Sequence, residues 1–209
     1  MTNCTQLQKL TLKHVTIDEP LILSDDIVNI ELYHVEFKRG ISIENCTKLQ
    51  CLIYRNGYCY GREFKQDEYT LLPGGLTLKN CKSLEKLELE HVDLGGHELI
   101  VPTHIKELKL KDVKLSSIDV GDSDLKPLSS ITDINMDNVH LSSRRLLCLV
   151  DFLETLPHAV KYELSLCTVE PISEHCMIRQ RLNSSKCLNV AGYEVCESTG
   201  KMSFTCNKL

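Results

Sequence analysis

The stretch that decides the fold is "LEKLELEHVDL", residues 84–94. Leu84, Leu87, Leu89, Val92 and Leu94 are its apolar positions, and Glu85, Lys86, Glu88, Glu90 and Asp93 fill most of the gaps. A helix is excluded by spacing, because Leu87 and Leu89 would lie on nearly opposite faces. An extended chain sends Leu87 and Leu89 to one side and Lys86, Glu88 and Glu90 to the other. A short strand over residues 86–90 leaves Leu84, Val92 and Leu94 unexplained, and repetition accounts for them.

The pattern L-x-x-L-x-L-x-x-V-x-L recurs with apolar residues at all five fixed positions in "LQKLTLKHVTI" (7–17), "IVNIELYHVEF" (27–37), "IKELKLKDVKL" (105–115) and "ITDINMDNVHL" (131–141). "LQCLIYRNGYC" (49–59) is a degenerate copy with Tyr54, Gly57 and Cys59 at the last three positions, and "KYELSLCTVEP" (161–171) keeps Leu164, Leu166 and Val169. The copies start 20, 22, 35, 21, 26 and 30 residues apart. The flank repeats too: "NCTQL" (3–7), "NCTKL" (45–49) and "NCKSL" (80–84) place Cys4, Cys46 and Cys81 three residues before the first leucine. A cysteine locked to a repeat position reads as a small buried apolar group. The apolar pairs in "LIL" (21–23), "ISI" (41–43), "LTL" (76–78) and "LIV" (99–101) predict short extended segments on an opposite wall.

A pattern of this kind at a period of about 20–29 residues resembles the leucine-rich-repeat family. The resemblance covers residues 4 to 171 and is to a divergent subclass with short irregular repeats. It implies an α/β fold: a curved right-handed solenoid with a parallel sheet on its concave face and short extended segments on the convex side. The expected organisation is a solenoid of about seven repeats over 1–171, a loop insertion near 57–75 and a C-terminal capping segment over 172–209. Many family members carry asparagine at the ninth position, where its amide binds neighbouring coils. Here that position holds Val15, Val35, Gly57, Val92, Val113, Val139 and Val169. No asparagine ladder is expected there, so the turn amides must pair with backbone or water.

At 209 residues, 42% hydrophobic and 25% charged, with no Trp, the chain suits a thin leucine core. A net charge of −5 without a basic run argues against nucleic-acid binding. No run of 18 apolar residues is present, so no membrane partner is expected. Eleven cysteines, an odd count, with no apolar signal-peptide core at the N-terminus lead us to expect a reduced cytoplasmic chain. The first repeat starts without a cap, which reads as part of a longer multidomain chain.

The insertion "YRNGYCYGREFKQDEYTLLPGG" (54–75) gathers Tyr58, Tyr60, Arg62, Phe64 and Tyr69, the residue types that anchor interfaces. "SSRRLLCLVDFLETLPHAV" (142–160) switches to helical spacing, giving a helix-bearing last repeat. "ISEHCMIRQRLN" (172–183) predicts a further short helix, and 186–209 a small extended cap turning at Ser198-Thr199-Gly200.

Candidate binding residues come from the outward strand positions, which stack into columns. The favoured contact joins Tyr33, Cys51, Ile53 and Arg55, flanked by Glu88, Glu90, Lys109 and Lys111. Tyr58, Tyr60, Arg62 and Phe64 are candidate insertion contacts. His14, His34 and His91 share the eighth position and read as exposed turn residues, since the next coil carries Asn56 and no third ligand is evident. Cys176, Cys187, Cys196 and Cys206 are spaced by 11, 9 and 10 and lack a C-x-x-C knuckle, so no metal or cofactor is expected. No nucleophile elbow, P-loop or H-E-x-x-H is present, and no catalysis is expected. The resemblance implies non-catalytic recognition of another protein. The settings it suggests are the ligand-sensing region of an intracellular immune-type receptor, a cytosolic enzyme inhibitor or a ubiquitin-ligase substrate adaptor. A self-assembling structural repeat protein is the rival of another class.

Overall fold

The computed structural model describes residues 6–56, 69–102, 104–114, 117–119, 132–142, 146–147, 150–151, 153–154, 161–170, 175–185, 188–196 and 201–208. Its principal strands are β1 (Lys9–Ile17), β3 (Asn29–Phe37), β5 (Cys51–Arg55), β7 (Lys86–Asp93), β9 (Glu107–Lys114), β11 (Asp133–Ser142) and β12 (Lys161–Glu170). Each pairs in parallel with the next, and from β1 to β11 equivalent template positions are in register, as Leu10 with Ile30 and Leu87 with Leu108; β12 is displaced by two, Met136 facing Leu164 and Leu141 facing Val169, which corrects the alignment of the last copy. The chain is a parallel-strand β-solenoid. Its joints repeat chemically as well. The second-position carbonyls of Gln8, Val28, Gln50, Glu85 and Lys106 each accept two backbone N–H groups, from the second and third positions of the following coil.

The opposite wall holds short strands at three of the four predicted apolar pairs; residues 76–78 form no strand, although Leu76 and Leu78 are buried, and the strand over Ser117–Asp119 matches no predicted pair. β2 (Leu21–Ile22) pairs with β4 (Ile41–Ser42), and β8 (Glu98–Ile100) with β10 (Ser117–Asp119), both in parallel. Between the walls, Cys46 and Cys81 sit fully buried in equivalent turns closed by Leu49 N–H to the Cys46 carbonyl and Leu84 N–H to the Cys81 carbonyl. Burial pushes the Cys46 thiol up to about 11 and the Cys81 thiol up to about 12, so both stay protonated and inert.

The strands run further than alternation allows, and the reason is the eighth position. Fixed apolar positions four and six are followed by nine and eleven, so the inward phase changes between them. His14, His34, His91 and Asp112 stand at that break with φ of 53°, 54°, 55° and 49°. One left-handed residue skips one step of the pleat and returns Val35 and Phe37, or Val92 and Leu94, to the core. The ladder accordingly omits the eighth position, passing from Lys13↔Tyr33 to Val15↔Val35. The eighth residues are thus phase-shifting residues within the strand. His14 is exposed, whereas His34 and His91 are half-buried, which corrects the expectation of simple exposed turns.

The third coil also departs from the sequence reading. β6 (Thr70–Leu71) pairs with β7, Thr70 opposite Val92 and Leu71 opposite Asp93, and Leu72 is fully buried. Thr70 and Leu72 therefore fill its ninth and eleventh positions, not Gly57 and Cys59. The extra segment enters after the eighth residue, Asn56, and ends at Tyr69. Removing these thirteen residues, 57–69, from the 35-residue offset leaves 22, the spacing of the neighbouring coil.

Beyond β12 the sheet turns antiparallel. β14 (Lys201–Lys208) pairs with β12, and β13 (Leu188–Cys196) with β14, Cys196 standing opposite Lys201; the turn expected at Ser198-Thr199-Gly200 lies outside the described residues. Helix α1 (His175–Ser184) buries Ile178 and Leu182. Its Arg181 binds Asp151 at 2.6 Å and Glu154 at 2.7 Å, carboxylates of the helical residues that also bury Leu146, Val150 and Leu153.

Candidate functional site

All eight residues of the predicted face fall on four adjacent strands. Tyr33 is on β3, Cys51, Ile53 and Arg55 on β5, Glu88 and Glu90 on β7, and Lys109 and Lys111 on β9. The register sets Tyr33 beside Arg55, Ile53 beside Glu88, Glu88 beside Lys109 and Glu90 beside Lys111. Alternation points them away from the leucine core.

Their charges are committed to one another. Glu88 has a side chain only 4% exposed and holds Arg55 Nε at 2.7 Å and Lys109 Nζ at 3.1 Å. Burial alone would push its carboxyl up, but the hydrogen bonds from Arg55 and Lys109 outweigh it and hold the group below the usual carboxylate range. Glu90 binds Lys111 at 3.2 Å, and Lys86 binds Glu107 at 2.5 Å. At the other edge Lys9 pairs with Glu31 at 2.8 Å, and Lys13 Nζ stands 5.3 Å from the centre of the Tyr33 ring. Between these groups Tyr33, Cys51 and Ile53 form a half-exposed, weakly polar island. The island and the network share one surface but differ in kind: one is open to contact, the other is satisfied within the sheet.

A second feature lies at the far ends of the strands. A groove of about 840 Å³ opens over the C-terminal halves of β1 and β3 and the return at β6. Its walls include Val15, Phe37, Leu71 and Pro73, with His14, His34, Glu36, Asn56 and Tyr69 among the polar groups. Val15 and Leu71 are 36% and 52% exposed. Asn56 and Tyr69, the residues on either side of 57–68, both line it. The candidate contacts Tyr58, Tyr60, Arg62 and Phe64 lie outside the described residues.

Sequence reasoning missed Asn56. It is buried, accepts the Val35 N–H at Oδ1 (2.9 Å) and donates from Nδ2 to the Val35 carbonyl (3.2 Å). Tyr54 Oη donates to the same carbonyl at 2.7 Å. β5 stops at Arg55, so Val35 has no strand partner on that side. The Asn56 amide takes the place of the missing backbone rung, and its own N–H binds the Glu90 carbonyl in β7. A side-chain amide therefore bridges coils here, one position earlier than the asparagine familiar in leucine-rich repeats, and the ninth-position amide of Val35 pairs with neither backbone nor water. The signal was present: a lone asparagine at the point where the repeat breaks.

The same column continues on both sides. His14 and His34 stack with ring centroids 4.8 Å apart and planes 11° from parallel, and His91 Nε2 stands 3.3 Å from Asp112 Oδ2. Among the described residues, no three His, Cys, Asp or Glu side chains converge as a metal shell requires, and no helix is long and apolar enough to cross a membrane. Comparison with protein-family models, curated proteins and solved structures gave no match.

Proposed function

We propose that the solenoid is of the leucine-rich-repeat type and that its sheet face recognises another protein without catalysing a reaction. The observation that carries this reading is the island of Tyr33, Cys51 and Ile53 enclosed by internally neutralised ion pairs. A surface whose charges already satisfy one another gains little by pairing with a partner's charges. It gains more by burying the aromatic and aliphatic groups those charges surround, as interface cores do. The leucine-rich-repeat type is supported by the in-register apolar template and by the bridging amide of Asn56. An immune-type sensor region, an enzyme inhibitor and a ligase adaptor all use such a face, and the identity of the captured protein distinguishes them.

The test replaces Ile53 with a photo-crosslinking phenylalanine analogue and captures partners from native lysate. A protein crosslinked at position 53 and lost when Tyr33→Ala is added supports the reading. Arg55 is left unchanged, so that Glu88 keeps its partner. Equal capture with and without Tyr33→Ala, or capture only by a crosslinker placed at Leu71, refutes recognition by the sheet face.

A further inference from the structure

We infer that the stacked imidazoles of His14 and His34 form a proton-operated latch, holding the second coil to its neighbours on either side while neutral and parting when charged. Three geometrical facts carry this. The rings lie 4.8 Å apart and nearly parallel, a contact that suits neutral imidazoles and opposes two like charges. His34 Nδ1 is buried without a hydrogen-bond partner, so a proton placed there has no acceptor. The other side of the ring serves the join itself, bonding to the backbone of Asn56, whose side chain holds Val35.

The surroundings do not rescue the charged form. On β1 and β3 the neighbours are Lys13, Tyr33, Glu36 and Lys38, and Glu36 is already engaged by Lys38 and by Thr16. Tyr69 faces the groove from the β6 side. Glu90 on β7 favours the imidazolium, but Lys111 on β9 holds that carboxylate. Burial first, and then the charge of His14, pull the His34 titration below the ordinary histidine value; the Asn56 backbone bond and Glu90 oppose them without prevailing.

The direction of the switch follows by linkage. A histidine whose folded pKa lies beneath its unfolded value binds fewer protons when folded. No penalty exists above about pH 6.5, where both forms are neutral. Stability falls as the pH drops through that value toward the folded pKa, by about tenfold in the unfolding constant per unit of separation. The loss is centred on Val35 and Asn56, where the chain leaves the sheet.

The test is a pH titration of the intact chain, labelled with ¹⁵N and with ¹³C-histidine, from pH 7.5 to 4.5. The expected result is a His34 midpoint below the ordinary value, with the Val35 and Asn56 amides shifting at the same midpoint and the Leu110 amide unmoved. His14→Asn should raise the His34 midpoint, and His34→Asn should abolish the acid shift at Val35. Asparagine is chosen because it accepts the left-handed backbone at both positions. A His34 midpoint at the ordinary value, or Val35 and Asn56 amides indifferent to it in the parent chain, overturns the latch. So does an acid shift at Val35 that survives His34→Asn.

Discussion

Asn56 can be weighed against its neighbour Tyr54, because both serve one backbone unit. Removing the side chain in Asn56→Ala leaves the Val35 N–H without its acceptor at 2.9 Å, while the Val35 carbonyl keeps the Tyr54 hydroxyl at 2.7 Å. One buried donor left unsatisfied costs about 1–3 kcal/mol, so a loss of about 2 kcal/mol is expected. Tyr54→Phe is the lighter change. It removes one of two donors to the carbonyl and leaves the Asn56 amide at 3.2 Å, so about 1 kcal/mol is expected. Only the double variant strips both donors, and its cost should exceed the sum of the singles by about 1 kcal/mol. Asn56→Asp is the sharper control. It keeps an acceptor for the N–H but sets a second carboxylate oxygen against the Val35 carbonyl, and where that carboxyl is ionised, well above the ordinary aspartate pKa of about 3.9, it should destabilise at least as much as alanine. Urea unfolding followed by far-ultraviolet circular dichroism, with the slope checked for constancy, measures all four. A cost below about 0.5 kcal/mol for Asn56→Ala, or strict additivity of the pair, would refute the substitution of a side-chain amide for a backbone rung.

Three further outcomes test other parts of the structure. Glu88→Gln should cost only about 1 kcal/mol, since Arg55 and Lys109 are 39% and 47% exposed and can turn to water, whereas Arg55→Met with Lys109→Met leaves a buried carboxylate alone and should cost about 3 kcal/mol in the same urea assay. Because the Glu88 carboxyl titrates below its unfolded value, its contribution is complete above the ordinary carboxylate pKa and disappears as pH falls through the folded one; Glu88→Gln should flatten that acid limb. At the exposed phase-shifting position of β1, His14→Asn should be nearly neutral and His14→Val should cost about 1–2 kcal/mol, read as a thermal shift, because a β-branched residue resists a φ of 53°. Leu89→Ala should cost about 3 kcal/mol and the equivalent Leu12→Ala much less, since Leu89 is fully buried and Leu12 only half-buried.

The strand columns were legible because the face of a strand is fixed by period two. Once Leu10, Ile30, Leu52, Leu87 and Leu108 are aligned as one inward row, the register of every outward neighbour follows, Ile53 beside Glu88 included. The charge state of that face was not legible. Glu88 and Glu90 look alike in sequence, yet Glu88 lies between Arg55 and Lys109 and is 4% exposed, while Glu90 has Lys111 and is 18% exposed. Which carboxylate is enclosed depends on where long side chains on two other strands lie down, and no one-dimensional pattern encodes that. The third coil was misread because a template scored along contiguous residues cannot skip thirteen. Gly57 and Cys59 fell under the ninth and eleventh positions by count, while Thr70 and Leu72 fill them in space.

The eighth position shows how backbone demand and site chemistry coincide. In the coils of β1, β3, β7 and β9 the pleat slips one step between the sixth and ninth residues, and apart from glycine the residues that take a positive φ most readily are Asn, Asp and His. In the first six copies this position reads His14, His34, Asn56, His91, Asp112 and Asn138, and Thr168 follows in the last; the positive φ is observed at His14, His34, His91 and Asp112. Identities fixed by backbone sterics therefore stack polar, hydrogen-bonding side chains at strand spacing along one rim. Neighbours within that stack interact: ring on ring at His14 and His34, imidazole on carboxylate at His91 and Asp112, amide on backbone at Asn56. A row of titratable groups thus arises from a folding requirement before any selection for function. It also offers a reason why the one long insertion sits where it does. The Asn56 side chain has the acceptor and donor needed to close Val35 where the next strand is interrupted, so the third coil can open there at little cost.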